Sequence, residues 1–283
     1  MHKACRVVFI IFSLLWPAWA VAASPEEVHF PSRDGTLLTG WLFKPVASPP
    51  YATVVALHGC GGLYATSGPR KGELNARHQA MADMLVGEGY AVLYPDSLRP
   101  RGVAQICTQK IGARNITQVQ RRHDGLAALA WVAAQPWAEP KRIAVLGWSH
   151  GGSAVLSVTD ATRSEVRDVP QTFATAIAFY PGCSAPLKSG YRSNTHLALM
   201  LGALDDWTPA APCIALGEAA GAEVRVFPDS YHDFDNPIGS VRLRADVPNG
   251  AHPGRGVHAG RNSAAREQAY ARLKELLREA LVR

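Results

Sequence analysis

Residues 146–153 read LGWSHGGS and place a serine between glycines, in the pattern Gly147–X–Ser149–X–Gly151. The pattern is short, and a chain with 25 glycines produces chance matches to it. The apolar run RIAVLG (142–147) precedes it, and the small, helix-compatible run SAVLSVTDA (153–161) follows it. Strand, sharp turn and helix are the context in which a serine hydroxyl is held exposed as a nucleophile. The alternative is an ordinary serine in a glycine-rich turn.

Apolar runs and helical patterns alternate along the rest of the chain. Residues 27–45 read as two antiparallel strands joined at the sequence RDG. Further strand patterns occur at 52–59, 90–97, 142–147, 175–182, 196–206 and 223–234, and helical patterns at 73–89, 117–136 and 263–282. Such alternation predicts an α/β fold, a mostly parallel central sheet with helices on both faces. Because linkers, repeats and low-complexity tracts are absent from the sequence, it predicts one domain over residues 24–283.

Reactive side chains occupy the carboxyl ends of these predicted strands, the edge at which α/β sheets bind their ligands. They are His58, Asp96, Ser149, the pair Asp205 and Asp206, and His232. A serine hydroxyl needs an adjacent base, itself oriented by a carboxylate, to attack near neutral pH. The order serine, acid, histidine accompanies the strained serine turn of α/β hydrolases. We therefore predict Ser149 as the nucleophile and His232 as its general base.

From about residue 26 to residue 283, the chain resembles α/β hydrolases of the dienelactone hydrolase family. The resemblance rests on LHGCGG (57–62), GWSHGG (147–152), FYPGC (179–183), LGALDDWTP (201–209) and FPDSYHDFD (227–235). It implies the α/β-hydrolase fold and hydrolytic activity. The dienelactone hydrolases proper use a cysteine nucleophile where this chain has Ser149, so the resemblance implies the fold but does not identify a dienelactone as the substrate.

The resemblance favours Asp205 as the acid, because the family's acid falls four residues before the proline of this loop, here Pro209. Asp206 is then a loop or capping residue. Asp96 also ends a strand, but it precedes the serine in the chain and is more typical of a turn cap, although some hydrolases carry the acid on another loop. We expect His58 to fix its loop by hydrogen bonds rather than to act as a second base.

The oxyanion that forms during acyl transfer needs two preorganised N–H donors. One is expected from the backbone of the residue after the nucleophile, here His150. The second is expected from the glycine loop HGCGG (58–62), where the backbone of Cys60 or Gly61 can approach the substrate closely. The alternative for this loop is a tight turn without a catalytic role.

Candidate pocket residues lie beside these groups. Trp148 and Trp207 are either walls of the acyl pocket or packing residues. Arg99 and Arg101 are candidates to bind a substrate carboxylate bidentately, or they lie in a solvated loop.

Residues 236–261 form a long segment rich in Gly, Pro, Arg and His. Segments of this length in compact domains are usually functional or disordered, and this one is a candidate for one wall of the pocket. Its His252 and His258 lack a carboxylate or cysteine framework, so no metal site is predicted.

Residues 1–23 carry the pattern of a secretory signal peptide: positive charge in HKACR, the apolar run VVFIIFSLLW, and small residues in AWAVAA. The run is too short for a stable anchor, although an uncleaved anchor is the alternative. We therefore predict an exported protein, periplasmic or secreted, without stable membrane insertion after signal cleavage. Cleavage removes Cys5 and leaves four cysteines, an even number that indicates two disulfides in an exported protein.

The sheet order implied by the resemblance pairs these cysteines as Cys60–Cys107 and Cys183–Cys213. Cys60 follows the third strand and Cys107 lies in the loop after the fourth, which are neighbours in that order. Cys183 follows the sixth strand and Cys213 the acid loop after the seventh. Each bridge then ties a loop at the reactive edge of the sheet.

The leading hypothesis is an exported serine hydrolase that cleaves small carboxylic esters through an acyl-enzyme, without a cofactor. The net charge of +6 is modest, and no basic run is interleaved with aromatic residues, so nucleic acid is not an expected partner. A peptidase or amidase on the same fold is one alternative. A non-catalytic binding protein is another, but such proteins typically lose one of the three catalytic residues. Substrate identity and oligomeric state stay open.

Overall fold

The computed structural model describes residues 25–282. The strands are β1 (Glu26–Pro31), β2 (Leu37–Phe43), β3 (Tyr51–Leu57), β4 (Ala91–Asp96), β5 (Ala138–Trp148), β6 (Thr175–Phe179), β7 (Leu197–Gly202), β8 (Glu223–Phe227), β9 (Arg242–Arg244) and β10 (Val257–Ala259). The α-helices are α1 (Ala76–Gly87), α2 (Gln118–Ala133), α3 (His150–Thr159), α4 (Ser164–Arg167), α5 (Ser184–Lys188), α6 (Ala210–Ala220) and α7 (Ser263–Leu281). Short 3₁₀ turns occur at Arg99–Arg101 and Ile111–Ala113.

The central sheet has the strand order β1-β2-β4-β3-β5-β6-β7-β8. β2 pairs antiparallel with both β1 and β4. All the pairs from β4 across to β8 are parallel. The α/β class and the mostly parallel sheet predicted from the sequence are confirmed. Parallel pairing brings the carboxyl ends of β3 to β8 to one edge of the sheet.

Two apolar layers cover the faces of the sheet. In β3, Val55 and Leu57 point into the layer that holds α2, α3 and α6, whereas Val54 and Ala56 point into the layer that holds α1 and α7. Because both faces are covered, β3 is buried along its whole length, which is why it reads as a continuous apolar run and not as an alternation.

Hydrogen-bonding side chains set where the main helices begin. α2 begins with a capping box: the Thr117 side chain accepts from the backbone N–H of Gln120, and the Gln120 side chain accepts from the backbone N–H of Thr117. α1 begins at Ala76 after the N-cap Asn75, three residues later than its sequence pattern predicts. The Asn262 side chain caps α7 by accepting from the N–H of Ala265. These caps satisfy backbone N–H groups in the first turn of each helix, which would otherwise lack a partner.

The sequence patterns above do not predict α4, α5, α6 or the ribbon formed by β9 and β10. The two strands of the ribbon pair antiparallel within residues 236–261. They have three residues each, too few for a period-2 pattern to stand out. The long segment therefore has ordered structure of its own.

Both predicted disulfides are confirmed: Cys60 is bonded to Cys107, and Cys183 to Cys213. The first joins the loop after β3 to the loop after β4, and the second joins the start of α5 to α6. They close sequence separations of 47 and 30 residues, which stabilises the fold by roughly 3–4 kcal/mol each in the chain-entropy account. Two disulfides are typical of a protein that folds in an oxidising compartment.

Within the described residues, no helix combines the length and the apolarity that crossing a bilayer requires. The predicted signal peptide, residues 1–23, lies outside the described residues. The boundary of the predicted domain, 24–283, stays a prediction.

Candidate active site

Ser149 lies at the tip of the sharp turn between β5 and α3. Its φ of 54° is in the left-handed region, which residues with a side chain rarely adopt. A Cβ on Gly151 would lie 1.9 Å from the carbonyl oxygen of Leu57, and one on Gly147 would lie 2.3 Å from the carbonyl oxygen of Gly151. Since no side chain fits at either position, close backbone contact dictates the glycine spacing. This is the geometry of a nucleophile elbow.

A chain of two hydrogen bonds links Ser149 to His232 and His232 to Asp205. Ser149 Oγ lies 2.9 Å from His232 Nε2, and His232 Nδ1 lies 2.8 Å from Asp205 Oδ2. All three residues are buried. With its Nδ1–H donated to the carboxylate, the neutral imidazole accepts the serine hydroxyl at Nε2. This arrangement can remove a proton from a serine hydroxyl as the hydroxyl attacks a carbonyl.

The Asp205 carboxylate is held by its own loop. Its Oδ1 accepts from the backbone N–H of Trp207 at 2.9 Å and of Thr208 at 2.8 Å. The Thr208 hydroxyl lies 3.1 Å from Asp205 Oδ2 and donates to the carbonyl oxygen of Tyr180 at 3.0 Å. These bonds fix the carboxylate in the orientation that His232 meets.

Two aromatic rings flank the His232 imidazole. The ring centroids of Tyr180 and Trp207 lie 4.5 Å and 4.6 Å from that of His232. Burial lowers the pKa of His232, but the charge of Asp205 and its hydrogen bond more than offset burial, so the pKa is raised above its usual value. Trp207 also lines the cavity described below, in keeping with the pocket-wall alternative for this residue.

The neighbouring carboxylate, Asp206, points away from His232 and binds the long segment. Its Oδ1 accepts from the backbone N–H of His258 and its Oδ2 lies near His258 Nδ1, both at 2.7 Å. Its carbonyl oxygen accepts from the N–H of Ala251 at 2.8 Å. Adjacent aspartates therefore face two different partners: Asp205 faces the histidine next to Ser149, and Asp206 anchors residues 236–261.

The candidate oxyanion donors do not all reach the site. His150 and Cys60 line the same cavity as Ser149, whereas Gly61 is exposed and lies outside its lining. Within residues 25–282, the backbone N–H groups of His150 and Cys60 donate no hydrogen bond to the protein. Both are therefore free to bind a developing oxyanion, and Cys60 is the better placed of the two candidates in the glycine loop.

His58 and Asp96 are both buried and form hydrogen bonds with neighbouring loops, although Asp96 Oδ2 has no hydrogen-bonding partner among the described residues. His58 Nε2 accepts from the N–H of Ser97 at 3.2 Å, and its carbonyl oxygen accepts from the Arg121 guanidinium at 2.8 Å. Burial, and then the charge of Arg121, hold the pKa of His58 well below its usual value. Asp96 Oδ1 caps the next turn by accepting from the N–H groups of Leu98 and Arg99 at 2.9 and 3.1 Å. Neither side chain faces Ser149.

A cavity of about 800 Å³ opens at Ser149. It is lined by residues of α3, by the start of α2 and residues before it, and by α5. Residues 249–251 of the long segment close a further side, so this segment does contribute a wall. Within the described residues, no group of three or more His, Cys, Asp or Glu side chains is placed to hold a metal ion.

Arg114 is the least compensated charge in the cavity lining. Arg122 and Arg163, also in the lining, form ion pairs with Glu165 and Asp160. Arg114 forms no ion pair within residues 25–282, its Nε is buried without a hydrogen-bonding partner, and burial lowers its pKa. The cavity therefore presents a guanidinium that a negatively charged group on a ligand would stabilise.

Three candidate pocket residues lie elsewhere. Trp148 is completely buried and belongs to the core on the α1 and α7 face. Arg99 stacks on the Tyr64 ring, with its guanidinium carbon 3.3 Å from the ring centroid, in a separate surface groove. Arg101 binds Asp124 through both terminal nitrogens, at 2.9 and 2.8 Å. Their roles as substrate-binding residues are therefore corrected to packing and ion pairing.

Asp235 is a site feature that the sequence does not reveal. It is completely buried three residues after His232, and it accepts from the indole N–H of Trp148 at 2.8 Å and the hydroxyl of Tyr180 at 2.5 Å. An aspartate in the sequence HDFD gives no signal of burial. The one available sign is the tryptophan beside the nucleophile, since a buried indole N–H usually finds an acceptor.

The sheet order, the strained serine turn and the order serine, acid, histidine at the carboxyl edge together define an α/β hydrolase. Residues 38–281 match the model of the dienelactone hydrolase family. The chain belongs to this family.

Solved structures with similar folds include two named for hydrolytic enzymes. One is a dienelactone hydrolase-like promiscuous phosphotriesterase from metagenomic libraries, with a TM-score of 0.66, 18% identity, and coverage of 91% of this chain and 98% of that one. The other is Thermogutta terrifontis esterase 2 phosphorylated by paraoxon, with a TM-score of 0.63, 18% identity, and coverage of 91% and 94%. At these identities the likeness establishes the fold.

Among curated relatives, an uncharacterized peptidase, YuxL, of Bacillus subtilis is 26% identical over 135 residues. The match covers 45% of this chain and 18% of the relative, so the chain spans less than a fifth of that protein's length.

Proposed function

We propose that this protein is a serine hydrolase that cleaves small carboxylic esters through an acyl-enzyme on Ser149. The observation that carries the proposal is the hydrogen-bonded chain from Ser149 through His232 to Asp205, with distances of 2.9 and 2.8 Å. Its position at the elbow of an α/β hydrolase, beside a cavity, supports the same conclusion. The disulfides support an exported location, periplasmic or secreted.

The proposed reaction has two halves. Ser149 Oγ attacks the ester carbonyl carbon as its proton moves to His232 Nε2, and the carbonyl oxygen becomes an oxyanion bound by the N–H groups of His150 and Cys60. Collapse of this intermediate breaks the ester C–O bond, and the leaving alcohol takes the proton from His232. Water then attacks the acyl-enzyme by the same route, which releases the acid and restores Ser149.

The raised pKa of His232 suits this role. In the resting protein the imidazole must be neutral to accept the serine proton, and during the reaction it carries a positive charge that Asp205 stabilises. Turnover is therefore expected to fall as the pH drops through the raised pKa of His232. The flanking rings of Tyr180 and Trp207 restrict rotation of the imidazole during this cycle.

A peptidase or amidase is the second candidate, favoured by the peptidase name of the Bacillus subtilis relative. The same three residues serve ester and amide cleavage, and the leaving group decides between them. A substrate panel that pairs each ester with the amide of the same acid separates the two candidates. The panel should include neutral and negatively charged acids, because Arg114 faces the cavity.

The test combines turnover of this panel with labelling by a fluorophosphonate, which reacts with an activated serine. We expect the label on the peptide that contains Ser149, and Ser149→Ala to lose labelling and about 10⁴–10⁶-fold in kcat. Ser67→Ala, at an exposed serine in another loop, is the matched control and should label and turn over as the unchanged protein does. Full activity of Ser149→Ala would contradict the proposal.

A further inference from the structure

The buried carboxylate of Asp235 contacts groups from several elements of the site at once. Its Oδ2 accepts from Trp148 Nε1 at 2.8 Å and from the hydroxyl of Tyr270 at 3.2 Å. Its Oδ1 accepts from the hydroxyl of Tyr180 at 2.5 Å. The Arg77 guanidinium supplies the opposite charge, with Nε 3.3 Å from Oδ1.

The bond to Trp148 reaches the nucleophile elbow. Trp148 immediately precedes Ser149 and its side chain is completely buried, with the rings of His78 and Phe179 at centroid distances of 5.4 and 6.2 Å. The turn that follows is strained at Ser149, so its position depends on rigid support at its base. The hydrogen bond to Asp235 fixes the indole and, through the backbone, that base.

The bond to Tyr180 connects Asp235 to a residue that contacts both His232 and the loop of Asp205. The Tyr180 ring lies 4.5 Å from the His232 ring, and its carbonyl oxygen accepts from Thr208 of the acid loop. Tyr180 has a φ of 37°, an unusual value for a residue with a large side chain, so its conformation must be held by its surroundings. The hydroxyl bond to Asp235 holds the ring against His232.

Stability alone does not account for this cluster. Burying ion pairs costs desolvation that apolar packing avoids, so such a network is weak evidence for a gain in stability. Its directional bonds instead fix geometry: Asp235 itself belongs to the loop of His232, Trp148 to the elbow, and Tyr180 to the strand end that meets the acid loop. Nearby, Arg77 also pairs with Asp233 at 2.7 Å, which adds a second tie to the same histidine loop.

We infer that Asp235 is a positioning residue, which sets the distance between the Ser149 hydroxyl and the His232 imidazole by binding Trp148 and Tyr180. The inference rests on the proposed function of Ser149 and His232. A misplacement of about 1 Å in such a pair costs on the order of 100-fold in rate. The substrate cavity does not include Asp235, so a positioning role affects kcat and leaves KM nearly unchanged.

Three substitutions, each of which removes one hydrogen-bond donor to Asp235, test the inference. Trp148→Phe removes the bond to the elbow, and Tyr180→Phe removes the bond to the residue beside His232 while keeping its ring. Tyr270→Phe is the matched control: it removes a bond to the same carboxylate, but from α7, which carries none of the three reactive residues. Each variant is measured for thermal midpoint, kcat, KM and the rate of fluorophosphonate labelling.

We expect Trp148→Phe and Tyr180→Phe to lower kcat and the labelling rate by about 10- to 100-fold, with KM within about twofold. Tyr270→Phe should keep kcat, KM and the labelling rate within about twofold of those of the unchanged protein, even where its thermal midpoint changes. Normal kcat in folded Trp148→Phe and Tyr180→Phe, or an equal loss in Tyr270→Phe, would overturn the inference. Turnover by Ser149→Ala in the same assay would instead overturn the proposed function, so the two failures are distinguishable.

Discussion

The elbow (residues 147–152) and the long segment (residues 236–261) meet at the same cavity but are built by opposite means. At the elbow, close approach of backbone atoms excludes side chains at Gly147 and Gly151, so a few consecutive residues determine the shape. The long segment is held by pairs far apart in sequence, such as Asp206 with His258 and Asn249 with the backbone of Gln109 and Ile111. Steric constraints among neighbouring residues can be recognised from a sequence, whereas hydrogen bonds between residues far apart in sequence cannot.

The same contrast divides Asp205 from Asp206. The first completes the hydrogen-bonded chain to Ser149, and the second secures the long segment that forms a wall of the cavity. Substitutions in these two regions should therefore affect different properties of the protein. Those at the elbow and its partners affect folding or the chemical step, and those in the long segment affect substrate capture modestly.

The largest expected effect on stability is that of Gly151→Ala. Its new Cβ would lie 1.9 Å from the carbonyl oxygen of Leu57 and 2.5 Å from that of His58, both of them backbone atoms. Overpacking against backbone that cannot move should destabilise the protein by about 3 kcal/mol or more. Urea unfolding measures the change. A variant with the unfolding midpoint of the unchanged protein would show that the elbow tolerates side chains and would break the comparison.

Asp205→Asn should have the largest effect of these substitutions on the chemical step. An amide facing His232 Nδ1 disfavours the tautomer that accepts the serine proton, so kcat should fall by about 10⁴-fold. Loss of the carboxylate also removes what raises the pKa of His232. Since the neutral imidazole is the active form, the acidic limb of the kcat/KM profile should move to lower pH in the variant.

Asp206→Asn is the matched control for that substitution, at an adjacent and isosteric position. We expect a loss of kcat no larger than about tenfold and an acidic limb at its original pH, because Asp206 faces His258. A larger loss for Asp206→Asn than for Asp205→Asn would reassign the acid.

His258→Ala should have a smaller effect, confined to the long segment. It removes the partly exposed side-chain hydrogen bond between His258 and Asp206, worth at most about 1 kcal/mol, which corresponds to about fivefold in kcat/KM. The segment should also become easier for a protease to cut. His252→Ala, at an exposed histidine of the same segment, is the control and should change neither measurement. Equal behaviour of the two variants would mean that the pair does not hold the segment.

The smallest effect on activity is expected for Gly254→Ala. Gly254 has a φ of +85°, which disfavours alanine, but no atom lies within 4 Å of its would-be Cβ. The substitution should cost about 1 kcal/mol of stability and leave kcat/KM unchanged. Compared with Gly151→Ala, it separates the cost of backbone conformation from that of steric exclusion. A loss of activity here would show that the tip of the segment touches the substrate.

Most of the sheet could be predicted from the sequence, because apolar runs such as that of β3 and the chain order of elements are local signals, and the pairing of the cysteines followed from the sheet order that the family resemblance implies. The positions of Ser149, of the pair Asp205 and Asp206, and of His232 at strand ends follow from the same chain order, whereas the choice of Asp205 over Asp206 followed from the family resemblance. Trp148 and Arg101 could not be placed this way. Whether a tryptophan next to the elbow faces the cavity or Asp235, and whether an arginine is solvated or paired with Asp124, depends on residues distant in sequence.

Cys60 and His150 show a division of labour within single residues. In each, the main chain offers an N–H to the proposed oxyanion, while the side chain does something else: a covalent bridge to Cys107 in one case and a wall of the cavity in the other. Replacing either side chain leaves the donor in place, so a conventional mutational scan passes over it. An ester in place of the peptide bond that carries the N–H would remove the donor alone. The proposed oxyanion donor at each of these two positions therefore depends on where the fold places the main chain, and not on which side chain the residue carries.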